Sequence, residues 1–298
     1  MIVRPPSRSV SLGLAALVIL TSGLASCRRK ETTSPPVATP SITLSHDRAP
    51  LGSPIDITYK FVVANDAHFA EDYRVLVHVV DADDELIFAF DHNPPTPTTQ
   101  WKPGQTIEYT RTAFIPIYPY VGEASIQVGL HSPVNQKRLP LVGQDVGQNA
   151  YKVARLQLQP QTENVFTVYK DGWHPAEVAE HNASVEWQWT KKDATLSFKN
   201  PKKDALFYFD VDNPGSVFSE SQQVKVSLGG QVVDEFTLKP KEPELRKIPL
   251  KATQLGSGDV AEIVISVDKT YVPAVVTSNS KDPRELGVRV FHAFVDPR

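Results

Sequence analysis

Residues 55–61 read IDITYKF, and this stretch decides the fold class because its apolar and polar side chains alternate. Successive side chains of a β-strand point to opposite faces of the sheet. Strict alternation over several residues therefore predicts a strand with one buried face and one solvated face. The chain around this stretch shows little of the helical spacing, in which apolar residues recur three and four positions apart.

Further strands of the same kind follow. Residues 73–80 (YRVLVHVV) and 85–90 (ELIFAF) flank the turn sequence DADD, which predicts a hairpin. The other segments of this first series are residues 106–114, 124–130 and 151–158. Short strands separated by Gly, Pro, Asn and Asp are typical of an antiparallel sandwich. We expect an Ig-like β-sandwich domain over residues 41–160.

A second series of strands occupies the rest of the chain. Residues 223–228 and 232–238 flank Gly229-Gly230, which is a hairpin signal. The other predicted strands are residues 165–169, 184–189, 194–198, 206–211, 245–250, 260–267 and 286–295. We expect a jelly-roll-like β-sandwich over residues 161–298. The predicted fold class is all-β, with two tandem antiparallel β-sandwich domains.

The first thirty residues carry an export signal. Arg4 and Arg8 give a positive start, and residues 10–20 (VSLGLAALVIL) form an apolar stretch too short to span a bilayer as a helix. The sequence Leu24-Ala25-Ser26-Cys27 then resembles the lipobox of bacterial lipoproteins. The resemblance implies a signal peptide over residues 1–26 that is removed, and diacylglycerol attached to the Cys27 thiol.

The expected lipid anchor places the protein in the cell envelope. Several acyl chains hold a protein on a membrane stably, whereas one chain binds only marginally. The second mature position is Arg28 rather than aspartate, so the inner-membrane retention signal of enterobacteria is absent. We expect the protein to face the periplasm or exterior, with the outer membrane favoured where the organism has one. Residues 27–40, rich in Pro, Thr and Ser, predict a disordered tether.

Composition excludes several function classes. Cys27 is the only cysteine among 298 residues, so neither an intramolecular disulfide nor a thiolate metal cluster can form. The formal net charge of −3 includes no basic excess, so we expect no nucleic-acid partner. The expected membrane partner is lipid, bound through Cys27.

No recognisable catalytic motif is present. We therefore expect no enzymatic activity, no cofactor and no metal. The sequence has no GxSxG, HExxH or phosphate-binding glycine loop, and its eight histidines are scattered. The acidic tip at residues 81–85 has oxygen ligands for calcium, but a solvated hairpin tip is the simpler interpretation. Asp91 and His92 form either an acid–base pair or a strand end whose side chains bond to nearby backbone.

Aromatic residues are the candidate ligand-binding groups. Trp187 and Trp189 are two positions apart and thus face one side of a strand, with Trp173 preceding them. They form either a platform on which a sugar ring stacks or part of the sandwich core. Two further candidate groups lie in rigid proline-rich connectors, which can form a binding surface at a sandwich edge. These are Trp101 in WKPG and the pair Tyr118 and Tyr120 in IPIYPY.

The second expected domain also carries three sequence blocks that resemble a β-sandwich module of bacterial cell-surface proteins. The blocks are Gly172-Trp173, Trp187-Gln188-Trp189-Thr190 and Asp282-Pro283-Arg284-Glu285-Leu286-Gly287. Similar modules occur appended to glycosyltransferase-like membrane proteins. The resemblance implies an extracytoplasmic accessory module associated with carbohydrate, and it implies no catalytic role for these blocks.

These observations favour a membrane-anchored, non-catalytic binding module for glycans or for a partner in envelope polysaccharide assembly. One alternative is a structural scaffold or adhesin subunit that binds another envelope protein. A second alternative is a carboxylate-dependent hydrolase that uses groups such as Asp91 or Glu186.

Replacement of Cys27 tests the anchor. Cys27→Ser removes the thiol to which lipid is attached, so we expect labelling by a palmitate analogue to be lost and the protein to leave the membrane fraction. Arg28→Ala, next to the cleavage site, should retain both properties. A Cys27→Ser protein that still incorporates the label would contradict the expected anchor.

Overall fold

The computed structural model describes residues 34–118, 120–215 and 219–298. The expected signal peptide, Cys27 and the tether as far as residue 33 lie outside these residues. The described chain is almost entirely β, with two short helices at Ala252–Leu255 and Pro273–Val276, and its strands form two sandwiches. The predicted fold class is therefore confirmed. Among the described residues, no helix combines the length and apolar character needed to cross a membrane.

The first sandwich joins a three-stranded sheet to a larger one. The smaller sheet contains, in spatial order, β1 (Ala38–Leu44), β3 (Pro54–Val63) and β6 (Thr106–Phe114). The larger contains β2 (Arg48–Pro50), β9 (Tyr151–Gln159), β7 (Gly122–His131), β4 (Arg74–Val80) and β5 (Leu86–Ala89), with β8 (Gln144–Asp145) paired to β9. Strand β2 runs parallel to β9, whereas the other pairings in this sandwich are antiparallel.

Alternation in strand β3 builds the core of the first sandwich, as the sequence predicts. Ile55, Ile57, Tyr59 and Phe61 are each 1% exposed. The predicted hairpin of β4 and β5 is also present. Strand β1 begins at Ala38, inside the segment expected to be disordered tether. Ala38 is buried and pairs with the end of β3, and this burial orders residues 38–40.

The second sandwich contains two five-stranded sheets. One sheet has the order β10 (Thr167–Tyr169), β13 (Asp193–Lys199), β18 (Val260–Val267), β15 (Gln222–Leu228) and β16 (Gln231–Leu238). The other has the order β11 (Glu177–Ala179), β12 (Asn182–Trp189), β19 (Arg289–Pro297), β14 (Ala205–Asp212) and β17 (Glu244–Leu250). Phe198, Phe207 and Phe209 are among the largest side chains in their common core.

The three sequence blocks that resemble a cell-surface module meet around Thr190, which is fully buried. The Thr190 amide donates to the Val288 carbonyl, and its own carbonyl accepts from the Gly287 amide at 2.7 Å. Its hydroxyl oxygen accepts from the Val288 amide. Trp173 forms a β-bridge with Thr190, and the next amide, of Lys191, donates to the Gly172 carbonyl. The blocks therefore join the end of β12 to the segment that leads into β19.

Glycine is required at two positions in this junction. A Cβ on Gly172 would overlap the Asp193 carbonyl oxygen and lie 2.7 Å from the Cα of Ala194. Gly172 also has a φ of +85°, which L side chains rarely adopt. A Cβ on Gly287 would overlap the Thr190 hydroxyl. Both contacts are with backbone or with a buried side chain, so moving either neighbour away would destabilise the fold.

Gly172→Ala tests this junction against a matched glycine. Gly230 has nearly the same φ, +84°, but open space where its Cβ would lie. Gly230→Ala should cost about 1–2 kcal/mol of unfolding free energy, because only the left-handed backbone is strained. Gly172→Ala adds steric overlap, so we expect a loss of more than about 3 kcal/mol. Urea unfolding measures both, and equal losses would contradict the close approach.

Candidate functional site

An ion pair and a ring stack are among the contacts that hold the first sandwich against the outer face of the second. The Lys247 ammonium of β17 donates to both carboxylate oxygens of Asp56 in β3, at 2.7 and 2.8 Å. Phe114, the last residue of β6, stacks on the ring of His292 with 3.7 Å between centroids and 4° between planes. Tyr208 points outward from β14 and is still only 3% exposed, because this contact covers it.

A cleft of about 750 Å³ opens beside this contact. One wall is the segment 114–117, where the chain leaves β6 through the proline-rich connector. The second sandwich supplies the other wall, with Phe166, Tyr169, Glu186 and His292. Two aromatic side chains of this wall are well exposed, Phe166 at 51% and Tyr169 at 37%. The cleft therefore combines open aromatic rings with carboxylate and imidazole groups.

Trp173 positions Tyr169 from behind. The indole Nε1 donates to the Thr195 carbonyl at 2.9 Å, which fixes the ring against the sheet. Tyr169 packs on it edge to face, with centroids 4.7 Å apart. Partial burial raises the pKa of Tyr169 to about 12, and the nearby Glu186 carboxylate raises it further by repelling the phenolate. Tyr169 is therefore a neutral hydroxyl donor, held beside Glu186, at neutral pH.

His292 has one partner at its ring edge and another on its ring face. Its Nδ1 lies 2.9 Å from an Asp210 carboxylate oxygen, and its ring face covers Phe114. The carboxylate orients the imidazole by hydrogen bonding, and the stacked phenyl ring restricts its rotation. His292 therefore presents a fixed polar edge to the cleft rather than a mobile side chain.

Trp187 and Trp189 do not line this cleft. Trp189 is 6% exposed and packs edge to face on Tyr271. The Arg289 guanidinium lies 5.0 Å from the Trp187 ring and 5.9 Å from the Trp189 ring, in contact by cation–π attraction. Two hydrogen bonds to Asp212 fix that guanidinium. Trp189 is thus packed within the sheet, and the Arg289 guanidinium lies over the half-buried ring of Trp187.

The candidates in the first sandwich also lie outside the cleft lining. Trp101 is 5% exposed in the core, packs on Phe61 and donates Nε1 to the Thr96 carbonyl. Its position corrects the prediction of a connector group available to a ligand. Tyr120 donates its hydroxyl to the Glu123 carbonyl and packs against the core, whereas Tyr118 is 41% exposed. The connector still contributes to the cleft through residues 114–117.

Sequence reasoning missed the two open aromatic residues of the cleft. Phe166 and Tyr169 fall within the predicted strand 165–169, where aromatic residues normally face a core. The feature that distinguishes them is edge position, because Tyr169 ends β10, a three-residue edge strand, and Phe166 directly precedes it. Its side chains have no second strand beside them, so an aromatic ring there stays open to solvent.

Other polar candidates serve structural roles. One Asp91 oxygen accepts the Val77 amide, and His92 bonds to the Phe90 carbonyl and the Tyr109 hydroxyl, so these side chains brace the strand end. At the acidic hairpin tip, Asp81 accepts amides of its own turn. Within the described ranges, no group of three or more His, Cys, Asp or Glu side chains is placed to hold a metal.

Comparison with known proteins gives no family for this chain. No family model matches it, and no curated protein matches it. Solved structures to which the chain is similar include a carbohydrate-binding module, CBM36, in complex with calcium and xylotriose. That match has 14% identity and a TM-score of 0.25, covering 44% of this chain and 98% of that one.

Two glycosidases also match. A family GH115 4-O-methyl-α-glucuronidase with specificity for decorated arabinogalactans has 18% identity and a TM-score of 0.33, covering 51% of this chain and 20% of that one. A Bacteroides uniformis β-glucuronidase has 10% identity and a TM-score of 0.31, covering 88% of this chain and 30% of that one. This chain therefore spans less than a third of either glycosidase. Overlaps this distant carry no argument about what the chain binds.

The contact that forms the cleft should weaken in acid. Burial alone would raise the pKa of Asp56, but hydrogen bonds from Lys247 and Thr112, with the Lys247 charge, lower it below its ordinary value of 3.8. A lowered folded-state pKa stabilises the fold above the ordinary value, and this contribution is lost as pH falls through the lowered one. Asp56→Asn should therefore flatten the fall in unfolding free energy between about pH 5 and about pH 2.

Denaturant unfolding at a series of pH values measures this change. Glu123→Gln is the control, since Glu123 pairs with Arg155 at the open surface, where an ion pair contributes little. Identical pH profiles for wild type and Asp56→Asn would show that the carboxylate does not stabilise the contact.

Proposed function

We propose that this protein is a lipid-anchored, non-catalytic module of the cell envelope that binds glycans in the cleft between its two sandwiches. The observation that carries the proposal is the pairing of open aromatic rings, Phe166 and Tyr169, with the polar groups Glu186 and His292 in one cleft. Attachment through Cys27 would hold this cleft outside the cytoplasm, at the end of the tether.

The chemistry of a sugar matches this lining. A pyranose has apolar CH faces and a rim of hydroxyl groups. The aromatic rings of Phe166 and Tyr169 can cover a CH face and remove it from water. The Glu186 carboxylate accepts hydrogen bonds from hydroxyls, and charged acceptors form the stronger kind of hydrogen bond. The volume lies within the range of small-molecule sites, about 300–1,000 Å³.

The two carboxylates named for the hydrolase alternative do not form a pair. Asp91 and Glu186 line separate cavities in the two sandwiches, and Asp91 is engaged by the Val77 amide. Glycosidases that use two carboxylates hold them about 5–10 Å apart across one scissile bond. The proposal therefore assigns Glu186 to binding and assigns no catalytic role to Asp91.

Two substitutions in the cleft test the proposed function. Tyr169→Ala removes an open ring, and Glu186→Gln removes a charged acceptor without changing side-chain shape. We expect each to raise the Kd for the bound glycan at least about fivefold, a loss of about 1 kcal/mol or more. Glycan-array screening of the full chain identifies the glycan, and isothermal titration calorimetry measures its Kd.

Two distant substitutions serve as controls. Glu235→Gln lies on the exposed strand β16, and Leu86→Ala changes a 51% exposed side chain on β5, so neither should alter the Kd. Failure of the wild-type chain to bind any arrayed glycan would refute the proposal. Capture of one stoichiometric membrane protein in place of glycan would favour the scaffold alternative.

A further inference from the structure

A second groove adjoins the cleft, on the outer face of the sheet that begins with β10. Its volume is about 1,100 Å³, and it shares Asn164, Val165 and Phe166 with the cleft. Phe166 therefore stands where the two depressions meet. A ligand that leaves the cleft past this ring enters the groove directly.

The pairing register of three strands shows which residues form the floor of this groove. Val168 of β10 lies opposite Ser197 of β13, which lies opposite Glu262 of β18. Lys199 and Val260 form the next outward-facing pair along the same two strands. Adjacent strands are about 4.8 Å apart, so the floor is about 10 Å wide. Ser197 is only 4% exposed on this face, which shows that the groove is recessed there.

The groove repeats the chemical character of the cleft. Val168 is 51% exposed and Val260 60% exposed, so apolar surface lies open to solvent. Lys199 and Glu262 flank it, and among the described residues neither side chain forms an ion pair. Apolar surface beside unpaired polar groups is what each successive residue of a sugar chain would require, because every residue presents both a CH face and hydroxyls.

We infer that the cleft and the groove form one extended site, and that its ligand is a stretch of several residues of a linear polysaccharide rather than a single sugar. This inference rests on the proposed function. The cleft alone is large enough for a short oligosaccharide. The adjoining groove gives the chain a second stretch of contact, and Phe166 contacts it at the crossing point.

The dependence of affinity on chain length tests this inference. The probes are xylo-, gluco-, galacturono- and chito-oligosaccharides of two to eight residues, with length-fractionated hydrolysate of the organism's own envelope polysaccharide. For the series that binds the full chain, we expect the octasaccharide Kd to be at least about tenfold below the trisaccharide Kd. A short ligand fills the cleft alone, whereas a long one also occupies the groove.

Val260→Asp isolates the contribution of the groove. Val260 lines the groove but not the cleft, and its exposure makes the change tolerable to the fold. We expect this variant to raise the octasaccharide Kd to the trisaccharide value and to leave the trisaccharide Kd unchanged. Val232→Asp, at a 51% exposed valine on β16 of the same sheet, is the matched control and should leave both values unchanged.

The possible results separate the inference from the proposed function. A trisaccharide and an octasaccharide that bind equally, or an octasaccharide unaffected by Val260→Asp, would overturn the extended site while leaving glycan binding intact. Absence of binding to every series would overturn both.

Discussion

The backbone of Thr190 is the constraint on which the second sandwich and its cleft depend. Hydrogen bonds join it to Gly287 and Val288, and a β-bridge joins it to Trp173. The glycines on either side leave no room for a Cβ, so the three segments can meet only with these residues in place. Because Trp173 is fixed here and Tyr169 packs on its edge, a structural junction determines the position of a cleft residue. The sequence blocks that resemble a cell-surface module therefore contribute to the proposed site indirectly, because they fix the residue on which Tyr169 packs.

The position of the first sandwich is the second requirement. Tyr208 on the outer face of the second sandwich is buried beneath Phe114, and the Asp56–Lys247 ion pair closes one side of the same contact. The stacked pair of Phe114 and His292 joins the two walls of the cleft. Neither sandwich has this site alone, since the connector wall belongs to one and the aromatic wall to the other. A binding site between two rigid units is a common location for ligand recognition.

Apolar segments and their alternation were sufficient to predict most strands. In a sheet with one buried face, every second residue of a strand is apolar. Strand β3 follows that rule closely, whereas the hairpin of β4 and β5 was predicted from two apolar segments on either side of a turn sequence. The candidate site was much less predictable. Alternation predicts which side chains point outward but not what covers them. The sequence therefore does not predict that the first sandwich covers Tyr208, or that Arg289 lies over Trp187 and Trp189. Tyr169 ends an edge strand of three residues and Phe166 directly precedes that strand, and edge position is a property of topology.

Hydrogen–deuterium exchange of the full chain, with and without the oligosaccharide that binds it most tightly, tests the central claim most directly. We predict slower exchange on binding in residues 114–117 and 164–170, which contribute to the two walls of the cleft, with little change in the loop at residues 133–143. Unchanged exchange in both walls, with protection instead at the start of β19 beside Trp187 and Trp189, would contradict it.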